Sequence, residues 1–206
     1  MSLAKKRKKD TYTYADYLKF PKDFKSEIID GVVYDMAPAP LRKHQDISGE
    51  IFRQIANFLS KENCKVYSAP FDVRFGEKKD ENFEITNVVQ PDLSIICDED
   101  KLDEKGCIGA PDWIIEILSP STTKIDLQDK FDLYEKFGVK EYWIVEPVEQ
   151  FILVFTLNEK GKYENTARLT TDKNGKPTIF TDFEINIAEV FGVEREEESE
   201  DSDNDS

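Results

Sequence analysis

Between Val89 and Tyr134 the chain carries two short, almost wholly apolar runs, and each is marked by one acid. The first is led by Gln90-Pro91-Asp92 and continues from Leu93 to Cys97. The second is Trp113-Ile114-Ile115-Glu116-Ile117-Leu118. Apolar runs of this length without alternation are strands covered on both faces, as in parallel or mixed sheets. Ser121, Thr122 or Thr123 then caps a helix whose apolar stripe is Leu127, Phe131, Tyr134 and Phe137, and Gly138 ends it. Glu141 to Val145 supplies the next strand. The resulting strand–helix–strand unit, with a right-handed crossover, sets an α/β class with a mixed sheet.

The flanking segments fit that class. Thr13-x-x-Asp16 forms a capping box for a short helix, Tyr14 to Phe20, which Pro21 stops. Asp30-Gly31 lies between Glu27-Ile28-Ile29 and Val32-Val33-Tyr34, a strong hairpin signal, and Pro38 and Pro40 end that hairpin. From His44 to Lys61, Ile47, Ile51, Ile55 and Phe58 recur at helical spacing. Cys64 to Phe75 reads as a strand interrupted at Pro70, with surface loops over 76–87 and 98–109. Phe151 to Leu157 and Tyr163 to Thr170 pair around Gly161. Ile179-Phe180 reads as one more short strand, and Ile187 to Phe191 as a last helical turn.

A chain of 206 residues suits one domain over 11–193. Residues 1–10 read as a disordered basic arm, and 194–206 as an acidic tail too polar to fold. No apolar run approaches the roughly 20 residues that span a bilayer. No apolar stretch follows the basic N-terminus as a secretory signal requires. Cys64, Cys97 and Cys107 are an odd set without CxxC spacing, which argues against structural zinc or a disulfide framework and for a reducing cytoplasm. The net charge of −15 opposes nucleic-acid binding unless basic residues cluster or metal ions bring positive charge.

A carboxylate on a buried strand is costly unless it is paired or holds a cation. On adjacent strands Asp92 and Glu116 would share one divalent ion, and their hard oxygens suit Mg2+ or Mn2+. A lysine beside them would assist an attacking water. The same residues also allow a structural arrangement, with Asp92 capping a strand end and Glu116 paired to Lys130 or Lys124. His44, the only histidine, either packs at its helix start or faces a substrate phosphate or site water. Ser119 and Ser121 have no neighbouring histidine, and no glycine-rich phosphate loop is present.

Taken together, several fragments resemble the Uma-type family of restriction endonuclease-like proteins, within the PD-(D/E)XK nuclease superfamily. They are Glu27-Ile28-Ile29-Asp30-Gly31, His44 at a helix start, Gln90-Pro91-Asp92-Leu93 and Glu116-Ile117-Leu118-Ser119-Pro120-Ser121-Thr122. Asp126, Lys130, Tyr134 and Gly138-Val139 through Glu141-Tyr142-Trp143 complete the set. The resemblance covers roughly 12–160. It implies a central mixed sheet flanked by helices and a Mg2+-dependent site that hydrolyses DNA phosphodiesters. Asp92, Glu116 and the carbonyl of Ile117 would hold the ion, Lys130 would assist the water, and Glu27 would support the site. His44 and Gln90 are candidate substrate contacts, and Asp126 an i,i+4 partner of Lys130. Tyr134 and Trp143 read as core. Leu118 stands where the superfamily lysine usually lies, so Lys130, from the next helix, takes that place. By analogy the chain would work as a homodimer. The rival expectation is a nuclease-like fold that no longer cuts and serves as a binding or scaffolding module.

Overall fold

A computed structural model describes residues 11–21, 23–36 and 41–195. The basic arm, Pro38, Pro40 and residues 196–206 of the acidic tail lie outside the described residues. Helix α1 (Tyr14–Tyr17) starts at Thr13, whose N–H and hydroxyl both donate to the Asp16 carboxylate at 3.0 Å. Strands β1 (Ser26–Ile29) and β2 (Val32–Asp35) form the expected hairpin. Asp30 and Gly31 both take positive φ, 45° and 73°, as a two-residue turn of this hand requires.

Helix α2 (Arg42–Leu59) follows, then β3 (Lys65–Ser68), β4 (Val73–Arg74), β5 (Val88–Val89), β6 (Leu93–Ile96), β7 (Leu102–Asp103), β8 (Gly106–Ile108) and β9 (Trp113–Ile117). A π-helical turn, Ile125–Asp129, leads into α3 (Lys130–Phe137). Strands β10 (Glu141–Glu146), β11 (Phe151–Leu157), β12 (Tyr163–Thr170), β13 (Asn174–Gly175) and β14 (Ile185–Asn186) precede α4 (Ile187–Phe191).

The mixed α/β class holds, with the main strands divided between two six-stranded sheets. One runs β12-β11-β10-β9-β6-β3, in which β9 and β10 are the parallel pair on either side of α3. The other runs β2-β1-β5-β4-β8-β7. Strand β9 is buried on both faces. Trp113, Ile115 and Ile117 pack with Ile47, Ile51 and Ile55 of α2, while Ile114 joins Leu133 and Tyr134 on the α3 side. Glu116 alternates onto that second side.

One loop expectation and one strand expectation change. The segment 98–109 contains β7 and β8, because β8 finds a parallel partner in the distant β4. Ile179 lies in a turn and Phe180 just after it, neither in a strand, and the short pair there is β13 with β14. Both pairings depend on neighbours remote in sequence.

The cysteine expectation is also overturned. Lys65 pairs with Ile96 at one end of the β3–β6 ladder, which brings the next residues, Cys64 and Cys97, face to face as a disulfide. Sequence spacing does not reveal a strand register, and the cysteine argument for a reducing compartment goes with it. Cys107 is free and buried, and burial pushes its thiol up to about 12. Titration with Ellman's reagent is expected to find no reactive thiol in the native protein and one after denaturation without reductant. Three thiols in the unreduced, denatured protein would remove the bridge. Among the described residues no helix is long and apolar enough to cross a membrane.

Candidate active site

Asp92 and Glu116 meet because β6 and β9 are antiparallel. Leu93 pairs with Ile115, so one step further along the ladder sets Asp92 opposite Glu116. The backbone locks them reciprocally. Asp92 Oδ2 accepts from the N–H of Ile117 at 2.7 Å, and the N–H of Asp92 donates to Glu116 Oε2 at 3.3 Å.

The π turn delivers the lysine. The N–H of Lys130 bonds to the carbonyl of Ile125, five residues back, and Tyr142 Oη donates to the Asp126 carbonyl at 3.1 Å. The wider turn shifts the inward face by one residue relative to a regular helix. Leu127, expected in the apolar stripe, is therefore 43% exposed, whereas Asp126 and Lys130 are 2% and 5% exposed. Lys130 is buried on the same helix as Leu133 and Tyr134. Its Nζ lies 2.9 Å from Glu116 Oε1, 3.0 Å from Glu27 Oε1 and 3.7 Å from Asp126 Oδ1. Lys124, the alternative partner for Glu116, is exposed.

Glu27 reaches this cluster from the other sheet, so the site lies where the two sheets meet. The backbone N–H of Gln90 donates to Glu27 Oε1 at 2.8 Å. The side chain of Gln90 turns elsewhere, donating to Asp72 Oδ1 at 2.7 Å and Tyr17 Oη at 3.1 Å. Asp72 carried no signal in the sequence. Tyr134, read as core, is indeed fully buried, but its hydroxyl donates to Glu116 Oε1 at 2.7 Å. Trp143 is core, its ring N–H donating to Glu141.

His44 approaches Asp92 from the α2 side, with Nε2 at 3.2 Å from Oδ2. Burial pulls the imidazole down, but the hydrogen bond and charge of Asp92 outweigh it and hold the pKa above its ordinary value. Asp92 is the most open of these acids. It borders a cleft of about 220 Å³ lined by Gln45, Ser48, Gly49 and Phe52 of α2 and by Ser68. A larger groove of about 500 Å³, between α3 and the β11–β12 turn, touches none of the four acids.

Three carboxyls, Glu116, Glu27 and Asp126, thus surround the Lys130 ammonium, with Asp92 next to Glu116. Burial raises the pKa of Glu116 against the pull of Lys130, and it raises Asp126 likewise. Burial lowers that of Lys130, but Glu116, Glu27 and Asp126 outweigh it and hold the amine well above its usual range. Both directions agree if the ammonium stays charged and the surplus of acid retains a proton. Glu141 shows how an internal carboxylate looks when it is structural. It accepts from Trp143, from the N–H and hydroxyl of Thr178 and from the N–H of Ile179, and meets no cation. By contrast, Asp92 Oδ1 has no hydrogen-bond partner among the described residues, and Glu116 Oε2 has only the long bond from Asp92. Both oxygens are open to a further partner.

The mixed sheet that opposes these acids is shared with a solved nuclease-like protein. The crystal structure of a "putative nuclease belonging to DUF820" from Anabaena variabilis superposes with a TM-score of 0.68. It is 24% identical, and the match covers 87% of this chain and 97% of that one. Residues 14–188 match the Uma2 family, described as "Putative restriction endonuclease", and the chain belongs to that family. An uncharacterized protein of Synechocystis sp. is 24% identical over 164 residues, 79% of this chain and 82% of that one.

Proposed function

We propose that this chain is a divalent-metal-dependent endonuclease that hydrolyses DNA phosphodiester bonds at the Asp92–Glu116 pair. The observation that carries this reading is the buried Lys130 amine, within 3.0 Å of both Glu116 and Glu27 and beside two opposed acids. The donor set fits Mg2+ or Mn2+. All donors are hard oxygens, and the cluster has more negative than positive groups. Among the described residues no group of three His, Cys, Asp or Glu side chains is arranged to hold a metal ion. An ion here would be held by two carboxylates, water and substrate phosphate rather than by a protein cage. Asp92, Glu116 and the Ile117 carbonyl would hold it, and when bound it would supply Lewis acidity and a lowered water pKa. The Ile117 N–H fixes the Asp92 carboxylate. Lys130 offers positive charge to the attacking water and to the phosphoryl oxygens. Glu27 steadies Lys130, and His44 orients Asp92, which borders the cleft through which a strand would enter.

The second reading, a binding or scaffolding module, has its own support. The chain is strongly acidic, Leu118 occupies the usual lysine position, and three acids already surround Lys130. Supercoiled plasmid separates the two. Nicking that needs Mg2+, stops with EDTA and is lost in Asp92→Ala supports the enzyme, whereas equal residual nicking in the variant supports the module. Cutting both strands would call for a homodimer. Light scattering is expected to give twice the monomer mass, and a monomer that only nicks would remove that part.

A further inference from the structure

The amine of Lys130 and the proposed metal have claims on the same carboxylate. Nζ sits 2.9 Å from Glu116 Oε1, and Glu116 is also one of the two acids assigned to the ion. Two cations on one carboxylate repel strongly where water is excluded. An ammonium that lost Glu116 would depend on Glu27 and Asp126 alone, in a pocket where an unpaired charge is costlier still.

We propose that Glu27 and Asp126 form a berth that takes the Lys130 ammonium when Glu116 turns to a divalent cation, so that both positive charges share the pocket. This rests on the metal-dependent reading above. Glu27 comes from the opposite sheet, and its Oε1 is pinned by the N–H of Gln90 at 2.8 Å, so it does not follow Glu116. Gln90 is itself tied to Asp72 and Tyr17. Asp126 lies four residues before Lys130 and is brought inward with it by the π turn. At 3.7 Å it stands just beyond hydrogen-bond distance, within reach of a small rotation of the lysine chain. Glu27 and Asp126 are 6% and 2% exposed, so water is a poor substitute for either. An ammonium has three donors, and the berth satisfies two of them without Glu116. Glu27 and Asp126 are positioning residues that act through Lys130.

Mn2+ affinity of the full chain, measured by titration calorimetry, tests this without any assay of cutting. Asp126→Asn is expected to weaken Mn2+ binding about tenfold in the otherwise unaltered protein, and less than about threefold in a Lys130→Met background. Equal weakening in both would mean that Asp126 attracts the ion directly, and would overturn the berth. If Lys130→Met does not fold, a crystal of the unaltered protein soaked in Mn2+ decides the same point. The expected result is Mn2+ at Asp92 and Glu116, with Nζ withdrawn from Glu116 and bonded to Glu27 or Asp126. Mn2+ there with Nζ still on Glu116 overturns the berth alone. Mn2+ absent from these acids overturns the metal reading beneath it.

Discussion

Glu116→Gln is expected to lower Mg2+-dependent plasmid nicking by about three orders of magnitude while leaving the fold intact. The amide keeps the size of the side chain and one oxygen, but it removes the charge that would hold the ion. A loss of about 10³ corresponds to about 4 kcal/mol of transition-state stabilisation, the scale of one lost electrostatic contact in a closed site. Stability should change far less, because Lys130 retains Glu27 and Asp126. Nicking rates and a melting curve on the same preparation separate the two effects. Undiminished nicking in this variant would remove Glu116 from the reaction.

Lys130→Ala carries the largest expected loss of stability. It strips the ammonium from a buried group of acids, and breaking one side of such a cluster costs about 3–5 kcal/mol. For a chain of this size that lowers Tm by about 10 °C. The sign of its pH dependence follows from the raised carboxyls. Burial raises Glu116 and Asp126, and removing Lys130 takes away the charge that opposed it. The native variant therefore binds protons that its unfolded chain releases. Its stability should be fullest below the ordinary carboxylate range and decline as pH rises through the raised values. Mn2+ should restore part of the loss, because an ion that binds only the folded state stabilises it. A variant that melts like the unaltered protein at every pH would mean that the four side chains do not form one electrostatic unit.

Much of this was legible in the chain itself. Asp30-Gly31 fixed a hairpin because few dipeptides accept two positive φ angles in succession. The recurrence of Ile47, Ile51 and Ile55 gave the buried face of α2, and the unalternating run at β9 gave a strand covered on both sides. Asp92 and Glu116 stood out because apolar strands rarely carry an acid without a use for it. Lys130 could be named, but not the turn that carries it inward. A regular 3.6-residue period puts Leu127 inward, and the π turn, which no local pattern announced, puts Asp126 there.

What the sequence determined by itself was most of the longer elements and the identity of the charged groups, since propensity, periodicity and turn chemistry are properties of neighbouring residues. The tertiary structure decided which of those groups meet. The β6–β9 register opposed the two acids, the division into two sheets brought Glu27 across to Lys130, and the β3–β6 ladder joined Cys64 to Cys97. Each is a contact between residues tens of positions apart. Such contacts are set by how whole faces pack to exclude water, and short-range patterns carry no record of that packing.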